Sequence, residues 1–571
     1  MKQLLLKLFL YFLFLCISAP AYAQNFHLKI NGSNEIESQI IDSLNYPKNH
    51  TALKSLFDAL KTSSEELSKK GYLSNKIVET KKINDSSFTA LIDLKTRTKN
   101  IHIYIGTNHD LFKTSKTKND TVIIRYEDAE NFLNEKILDA EKAGFALTKI
   151  KFENIQNKNS IMYADLNMKS EKKRTVNSII INQIDDSKRG YFPKGHTKQL
   201  NKKYLFRTFN QEIVKELYND INTFEFVTQT KYPEILFTND STKIYVYLEK
   251  RKANTFDGYI GFSNDDNKKT TLNGYLDISL TNTLKVGEQF SLYWKSDGNQ
   301  QKTFNTKIEI PYIFQSALGL KAQLNIFKQD STFQNTKTAI DLGYFLNYNS
   351  KVYLGYQSTE SSDIQNTNNS IISDYKNSFL TTSLEYKKID QFNTLFSKKT
   401  SLYLIAGYGK RTTNSSPETA PTSKQFYANI SFSHNFELNN KNFIYINPQS
   451  FYLKSNNYIS NELFRFGGIN SIRGFTESSL QGNNINLLIT EYRYLATQNL
   501  YLHSIIDYGI YQDQTNLQTS KKFNNLLSAG VGLGLLTKTG ILRIIIANGT
   551  ANTGEVKFYN SILTICYNVK F

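Results

Sequence analysis

Leu563-Thr-Ile-Cys-Tyr-Asn-Val-Lys-Phe571 ends the chain on an unbroken alternation. Successive side chains of a strand point to opposite faces. Leu563, Ile565, Tyr567, Val569 and Phe571 therefore share one face, and Thr564, Cys566, Asn568 and Lys570 share the other. An apolar face, a polar face and a terminal aromatic describe a strand that closes a barrel with a greasy outer wall and a wet lumen. A soluble sandwich also alternates, but it has no reason to turn so many rings outward.

The same period of two runs back to Asp257. Strands are expected to begin near 256, 270, 287, 302, 317, 335, 351, 377, 401, 424, 442, 485, 500, 523, 540 and 557. That is an even number, as single-chain bacterial barrels use. Turn formers such as Ser296-Asp-Gly-Asn299 and Glu437-Leu-Asn-Asn-Lys441 separate them. Composition agrees: 36 Tyr and 38 Phe stand against one Trp, in a chain whose mean hydropathy is only −0.44. Alternate lipid-facing residues and aromatic girdles produce that mixture. Gly530-Val-Gly-Leu-Gly534 superficially suggests a nucleotide loop. It reads better as a strand with its glycines on the lumen face, where another backbone can lie close.

Ahead of the barrel, residues 24 to 252 are mixed α/β and repeat a unit of about 75 residues. The first unit, 24–100, opens with the alternating Phe26–Ile30. It continues with a helical stripe at Leu53, Leu56, Phe57 and Leu60, and stops at Gly71-Tyr72. The second, 101–174, opens with Ile101–Ile105 and carries a helix ending at Gly144-Phe145. The third, 175–252, opens with Val176–Ile181, has a helix near 210–221, and offers only Phe224 and Phe226 where the others place Gly-aromatic. The expected architecture is thus three α/β units followed by a sixteen-stranded antiparallel transmembrane barrel over 253–571.

At the other end, Lys2 and Lys7 precede an apolar run from Leu8 to Ile17, and Ala21-Tyr-Ala23 follows. This is the layout of a secretory signal cleaved after Ala23. Phe14-Leu15 before Cys16 argues against a lipoprotein. With the signal removed, Cys566 stands alone and no internal disulfide is expected.

The chemistry-bearing residues point away from an enzyme. No nucleophile elbow, zinc-protease helix or phosphate loop is present, so no cofactor is expected. His27, His50, His102, His109, His196, His434 and His503 have no metal-ligand spacing. The net charge of +18 is scattered rather than gathered into a stripe. Nucleic acid is therefore not an expected partner, and attraction to anionic membrane surfaces fits an exported chain better.

One stretch stands out. Phe464-Arg-Phe-Gly-Gly-Ile-Asn-Ser-Ile-Arg-Gly-Phe475 lies in the long connection between the eleventh and twelfth expected strands. Gly467-Gly468 permits a tight path, and Arg473-Gly474-Phe475 puts a fixed cation and a ring at a second turn. A cation folded into a lumen needs acidic partners, because an unpaired buried charge is costly. Glu491 and Asp507, on the next two strands and at inward parity, are the candidates.

At these residues the chain resembles the BamA/TamA family, also called the bacterial surface antigen family, of outer-membrane insertases and translocases. The resemblance implies POTRA domains in the periplasm, a sixteen-stranded barrel, and a sixth extracellular loop folded into the lumen. Its Gly-Gly and Arg-Gly-Phe tip would be Gly467, Gly468, Arg473, Gly474 and Phe475. Glu491 would match the family's acidic residue on strand twelve. Asp507 and Gly509 would match its Asp-x-Gly on strand thirteen, and Tyr567, Val569 and Phe571 its C-terminal assembly signal. It further implies unfolded outer-membrane or secreted clients, contact with outer-membrane lipid, periplasmic or inner-membrane accessory proteins, and a weak seam between the first and last strands. Three POTRA-like units are closer to the TamA-like branch than to the general assembly factor. The rival expectations are a dedicated pore for one secreted partner and a passive channel.

Overall fold

The computed structural model describes residues 25–106, 120–183, 190–264, 270–297, 301–366, 371–390, 393, 395–413, 422–515, 522–552, 554 and 558–570. The expected signal segment, His109 and Phe571 lie outside them. The chain divides into two compact units, one running to Thr175 with Thr208–Gln211, the other comprising Val176–Arg207 and everything from Glu212.

The first unit holds two POTRA-like α/β sheets. In the first, Phe26–Gly32 lies parallel to Ser87–Asp93, with Asn49–His50 and Lys76–Asn84 at the two edges. A parallel pair needs a crossover, and two helices supply it. Glu35–Asp42, absent from the sequence reading, starts where Asn34 Oδ1 accepts the Glu37 amide at 2.9 Å. Leu53–Lys69 buries Leu56, Leu60 and Leu67 against Leu28, Ile30 and Ile92. The expected stripe is off by part of a turn, for Leu53 and Phe57 are exposed and Ser63 is buried in the row instead. Apolar character alone over-read the face.

The helix ends as the sequence suggests. Gly71 sits at φ +98°, and the Tyr72 amide reaches back to the Leu67 carbonyl at 3.0 Å. The second sheet repeats the device, with Gly144 at φ +100° after the helix Ala129–Lys142 and Phe145 N–H on Ala140 O at 2.9 Å. Its strands run in the order Thr121–Arg125, Asn100–Tyr104, Ile161–Lys169, Lys149–Lys158, the middle two parallel.

The second unit opens with a third POTRA-like sheet. Val176–Gln183 is parallel to Thr242–Lys250, which also pairs with Val227–Gln229 and Glu234–Phe237. Its helices are Lys194–Tyr204 and Gln211–Ile221. The first of these also went unseen in the sequence, because its Lys-rich face masks the periodicity. Here the closing aromatic works without a glycine: Phe224 donates to the Ile221 carbonyl at 3.1 Å, and Phe224 and Phe226 are buried.

The rest is a closed barrel of sixteen strands joined antiparallel throughout. In chain order they are β1 Thr255–Asn264, β2 Thr270–Thr281, β3 Gln289–Asp297, β4 Gln301–Ile310, β5 Leu318–Gln329, β6 Phe333–Asn347, β7 Ser350–Asp363 and β8 Tyr375–Ile389. There follow β9 Lys398–Thr413, β10 Thr422–Asn439, β11 Asn442–Lys454, β12 Asn484–Thr497, β13 Leu500–Gln512, β14 Asn524–Leu536, β15 Gly540–Ala551 and β16 Ile562–Lys570. The final strand begins five residues later than expected, after a 3-10 turn at Phe558–Asn560. Along β7, burial alternates almost without fault, with Leu354 and Tyr356 exposed on the outer wall and Tyr353 and Gln357 buried inside. Outward Leu, Ile and Tyr on adjacent strands form the apolar wall a bilayer requires. The alternation of the terminal segment holds too, since Leu563 and Ile565 are exposed.

The polar face carries ion pairs rather than stray charges. Lys321 of β5 meets Glu385 at 3.1 Å and Asp341 at 3.4 Å, and Lys351 of β7 pairs with Glu309 of β4. The third α/β sheet is tied to the barrel's turns. His196, 1% exposed, is enclosed by Phe192, Phe224, Phe226, Tyr312 and Tyr348, and Asn282 donates to the Tyr191 carbonyl at 2.8 Å.

Candidate lumen-loop site

The connection from β11 to β12, residues 455–483, turns inward and is built from the residues singled out above. Its base is a two-stranded clip in which Phe464–Phe466 pairs with Leu480–Gly482. Gly467 and Gly468 stand at φ +110° and +94°, conformations that favour glycine. A Cβ on Gly467 would lie 2.6 Å from the Thr476 carbonyl. The turn is closed by the Ser471 amide on Gly468 O at 3.1 Å and the Gly468 amide on Ile472 O at 3.1 Å.

Ile472 is fully buried with Phe466, Ile485, Leu487 and Leu526. Gly509 on β13 makes room for it, since a Cβ there would lie 3.3 Å from Ile472 Cδ1 and 2.7 Å from Leu487 Cδ2. This apolar peg fixes the register of the next residue.

Arg473 is 4% exposed and meets both carboxylates the sequence proposed. Its Nε donates to Asp507 Oδ2 at 2.8 Å and its Nη2 to Asp507 Oδ1 at 2.6 Å, a planar two-point fit that lysine cannot make. Nη1 pairs with Glu491, and Nη2 also reaches the Thr490 carbonyl at 3.1 Å. Asp507, with no exposed surface, further accepts the backbone amides of Arg473 at 3.2 Å and Thr490 at 3.1 Å. Glu491 shares its second oxygen with Arg493 Nε at 2.7 Å. Every charge in the cluster has a partner, which is the condition for burying it at all.

Past the arginine, Gly474 at φ +76° lies flat on β15. A Cβ would come within 2.5 Å of Asn548 C and Gly549 N. Phe475 packs its ring on Gly549, which has no side chain to obstruct it.

Two further anchors escaped the sequence reading. Arg411 of β9, 1% exposed, pairs with Glu462 of the loop and reaches Asn457 Oδ1 at 2.5 Å. Asn461 beside it donates to Ser361 Oγ at 2.7 Å and Ser373 O at 2.8 Å. Glu477, past the tip, pairs with Lys295 of β3 and accepts from Tyr293 Oη at 3.3 Å. Only an inward-parity arginine on a barrel strand and unpaired acids in a loop hinted at these, and lumen geometry was needed to match them.

The reading of Gly530–Gly534 needs one addition. The glycines do face inward, and the backbone that lies close is the neighbouring strand's, with Ile546 O at 2.5 Å from a Cβ on Gly530 and Ile544 O at 2.8 Å from one on Gly532. Gly532 and Gly534 also make way for the rings of His503 and Tyr501 on β13. At the C-terminus, Tyr567 Oη bonds Thr537 Oγ1 at 2.9 Å and so ties β16 to the turn between β14 and β15. Val569 lies opposite Phe256.

That last contact is part of the seam between β1 and β16. Among the described residues, two residue pairs join these strands, Thr255 with Lys570 and Phe256 with Val569. By contrast, ten pairs join β1 to β2 and eight join β15 to β16. Among the described residues no further ladder pair joins the two strands. No cluster of three metal-ligating side chains occurs among the described residues.

Fold and site together define a sixteen-stranded transmembrane barrel of the outer-membrane type, with an inward-folded loop and three POTRA-like modules ahead of it. More particularly, its fold is shared with two solved CdiB structures. It is similar to CdiB from Escherichia coli, at 12% identity and TM-score 0.50 over 90% of this chain and 97% of that one. It is likewise similar to CdiB from Acinetobacter baumannii, at 14% identity and TM-score 0.50 over 81% and 86% of the two chains. BamA from Haemophilus ducreyi lacking POTRA domains 1–3 aligns at 14% identity over 81% and 97%, with TM-score 0.46. No family model matches the chain, and no curated protein matches it in sequence.

Proposed function

We propose that this protein is an outer-membrane insertase or translocase of the BamA/TamA kind, with its three α/β modules in the periplasm. The observation that carries the reading is the seam. A closed barrel gains nothing from leaving one strand pair almost unzipped, whereas a machine that passes or templates other chains needs one wall that opens at low cost. Each unformed ladder pair removes hydrogen bonds worth about 0.5–1.5 kcal/mol apiece, so this pair parts before any other.

The modules suit the handling of unfolded clients. Lys76–Asn84 and Lys149–Lys158 lie at sheet edges, and an extended segment can add to such an edge through backbone bonds without demanding a particular sequence. Nothing in this activity calls for a catalytic side chain. Clients would arrive at the modules, meet the free lengths of β1 and β16, and pass into lipid or across it, aided by accessory proteins of the periplasm or inner membrane.

Depletion of the protein followed by a census of outer-membrane and secreted proteins tests the proposal. Loss of a set of barrel or surface proteins supports it. Loss of one secreted partner alone replaces it with a dedicated pore, and an unchanged census with a large steady conductance replaces it with a passive channel.

A further inference from the structure

The inward loop meets the barrel on both sides of the seam. Arg473 fastens it to β12 and β13, and Gly474 and Phe475 lie on β15. Two residues beyond Phe475, Glu477 reaches Lys295 and Tyr293 on β3. Between those attachments lie β16, β1 and β2, and therefore the seam. We infer that Glu477 with Lys295 and Tyr293 is a latch, and that residues 473–477 form a strap holding the barrel shut across its weak strand pair. This rests on the proposed function for its purpose, not for its geometry.

The two ends of the strap differ in kind. The Arg473 end is buried, forked and shared between two carboxylates, and Ile472 pegs it in place. The Glu477 end is one ion pair with side chains about one-third exposed, 36% for Lys295 and 34% for Glu477. Exposed pairs of this sort contribute little and respond to salt. One end is therefore a fixed hinge and the other a releasable catch. Gly468 supports the catch, since its α-carbon faces Glu477 so closely that a Cβ would lie 3.0 Å from Glu477 Cα, Cβ and Cγ. A cavity of about 330 Å³ lies beneath the strap, lined by Phe475, Glu477 and Lys295 from above and by Ile545, Ile562 and Thr564 of β15 and β16. The last strand thus has open space on its lumen side into which it can move once the catch lets go.

The test places spin labels at Ser263 of β1 and Ser561 next to β16 in the full-length protein in liposomes, with Cys566→Ser to remove the native thiol. Distances across the seam are read by pulsed electron resonance. Glu477→Gln and Lys295→Met are each expected to broaden the distribution and lengthen its mean by roughly one strand spacing, about 5 Å. The exchange Lys295→Glu with Glu477→Lys is expected to restore it. Heat-modifiable migration shows whether each variant has folded, and Tyr293→Phe offers a milder variant with a smaller shift. Unchanged distances in folded Glu477→Gln and Lys295→Met overturn the latch. Altered distances in a protein whose wild type inserts no unfolded barrel client leave the latch standing and remove the proposed function instead.

Discussion

Arg473→Ala is the most informative single substitution. It deletes two bonds to Asp507, at 2.6 and 2.8 Å, one to the Thr490 carbonyl at 3.1 Å, and the pair with Glu491. Asp507 then keeps only two backbone amides for a fully buried charge, while Glu491 keeps Arg493. Breaking a buried pair from one side costs about 3–5 kcal/mol, and the surviving amides argue for the lower end, about 3 kcal/mol. Asp507→Ala is expected to cost about as much, because it leaves Arg473 dependent on a carboxylate already shared. The double variant should cost about 4 kcal/mol, which is a coupling of about 2 kcal/mol and within the range for residues in one network. The assay is equilibrium unfolding in urea from lipid vesicles, followed by the fluorescence of Trp294, the single tryptophan, on β3. Arg473→Lys should fall between, since it keeps the charge and loses the fork. Single variants within 1 kcal/mol of wild type, or a double variant equal to their sum, would refute the lumen lock.

Other outcomes follow from the same geometry. Gly474→Ala meets the backbone of Asn548 and Gly549 at 2.5 Å from a strained φ, so the heat-modifiable folded fraction should drop sharply; normal assembly would show that the tip does not lie on β15. Arg411→Met strands the buried carboxylate of Glu462 and should cost several kcal/mol in the same unfolding assay. Arg411→Met with Glu462→Leu should recover most of it, because a buried pair replaced whole is nearly neutral. His196 has no hydrogen-bond partner on either ring nitrogen, and burial together with Lys351 pulls its pKa down to about 3. The unfolded ring titrates near 6.5, so the unfolded state takes up the proton first, and stability falls as pH drops from 6.5 toward 3. Between pH 7.5 and 5 the loss is about 2 kcal/mol, and melting of His196→Phe over that interval should be flatter by this amount.

Much of this molecule was legible because its strands are amphipathic. The alternation from Asp257 to Lys570 sets which residues face lipid, and a charged residue at inward parity must find a partner, which is why the sequence alone pairs Arg473 with Glu491 and Asp507. The capped helices before Gly71 and Gly144 were equally plain, since a left-handed residue after an apolar stripe has one common meaning. The helix Lys194–Tyr204 was hidden because its apolar face, His196, Leu200 and Tyr204, is too thin to stand out among lysines. The Arg411–Glu462 and Lys295–Glu477 pairs were hidden because they join residues 51 and 182 positions apart through the lumen. Strand periodicity gives facing but not which wall a long loop will reach.

The claim on which the account turns is that clients use the parting of β1 from β16. Phe256→Cys with Val569→Cys, in a Cys566→Ser background, places thiols at directly opposed positions of the seam. The purified protein in liposomes is then given an unfolded barrel client with the seam oxidised, and again after reduction. Insertion should be abolished in the oxidised protein and return on reduction. Equal insertion through a seam shown to be fully cross-linked would contradict the account.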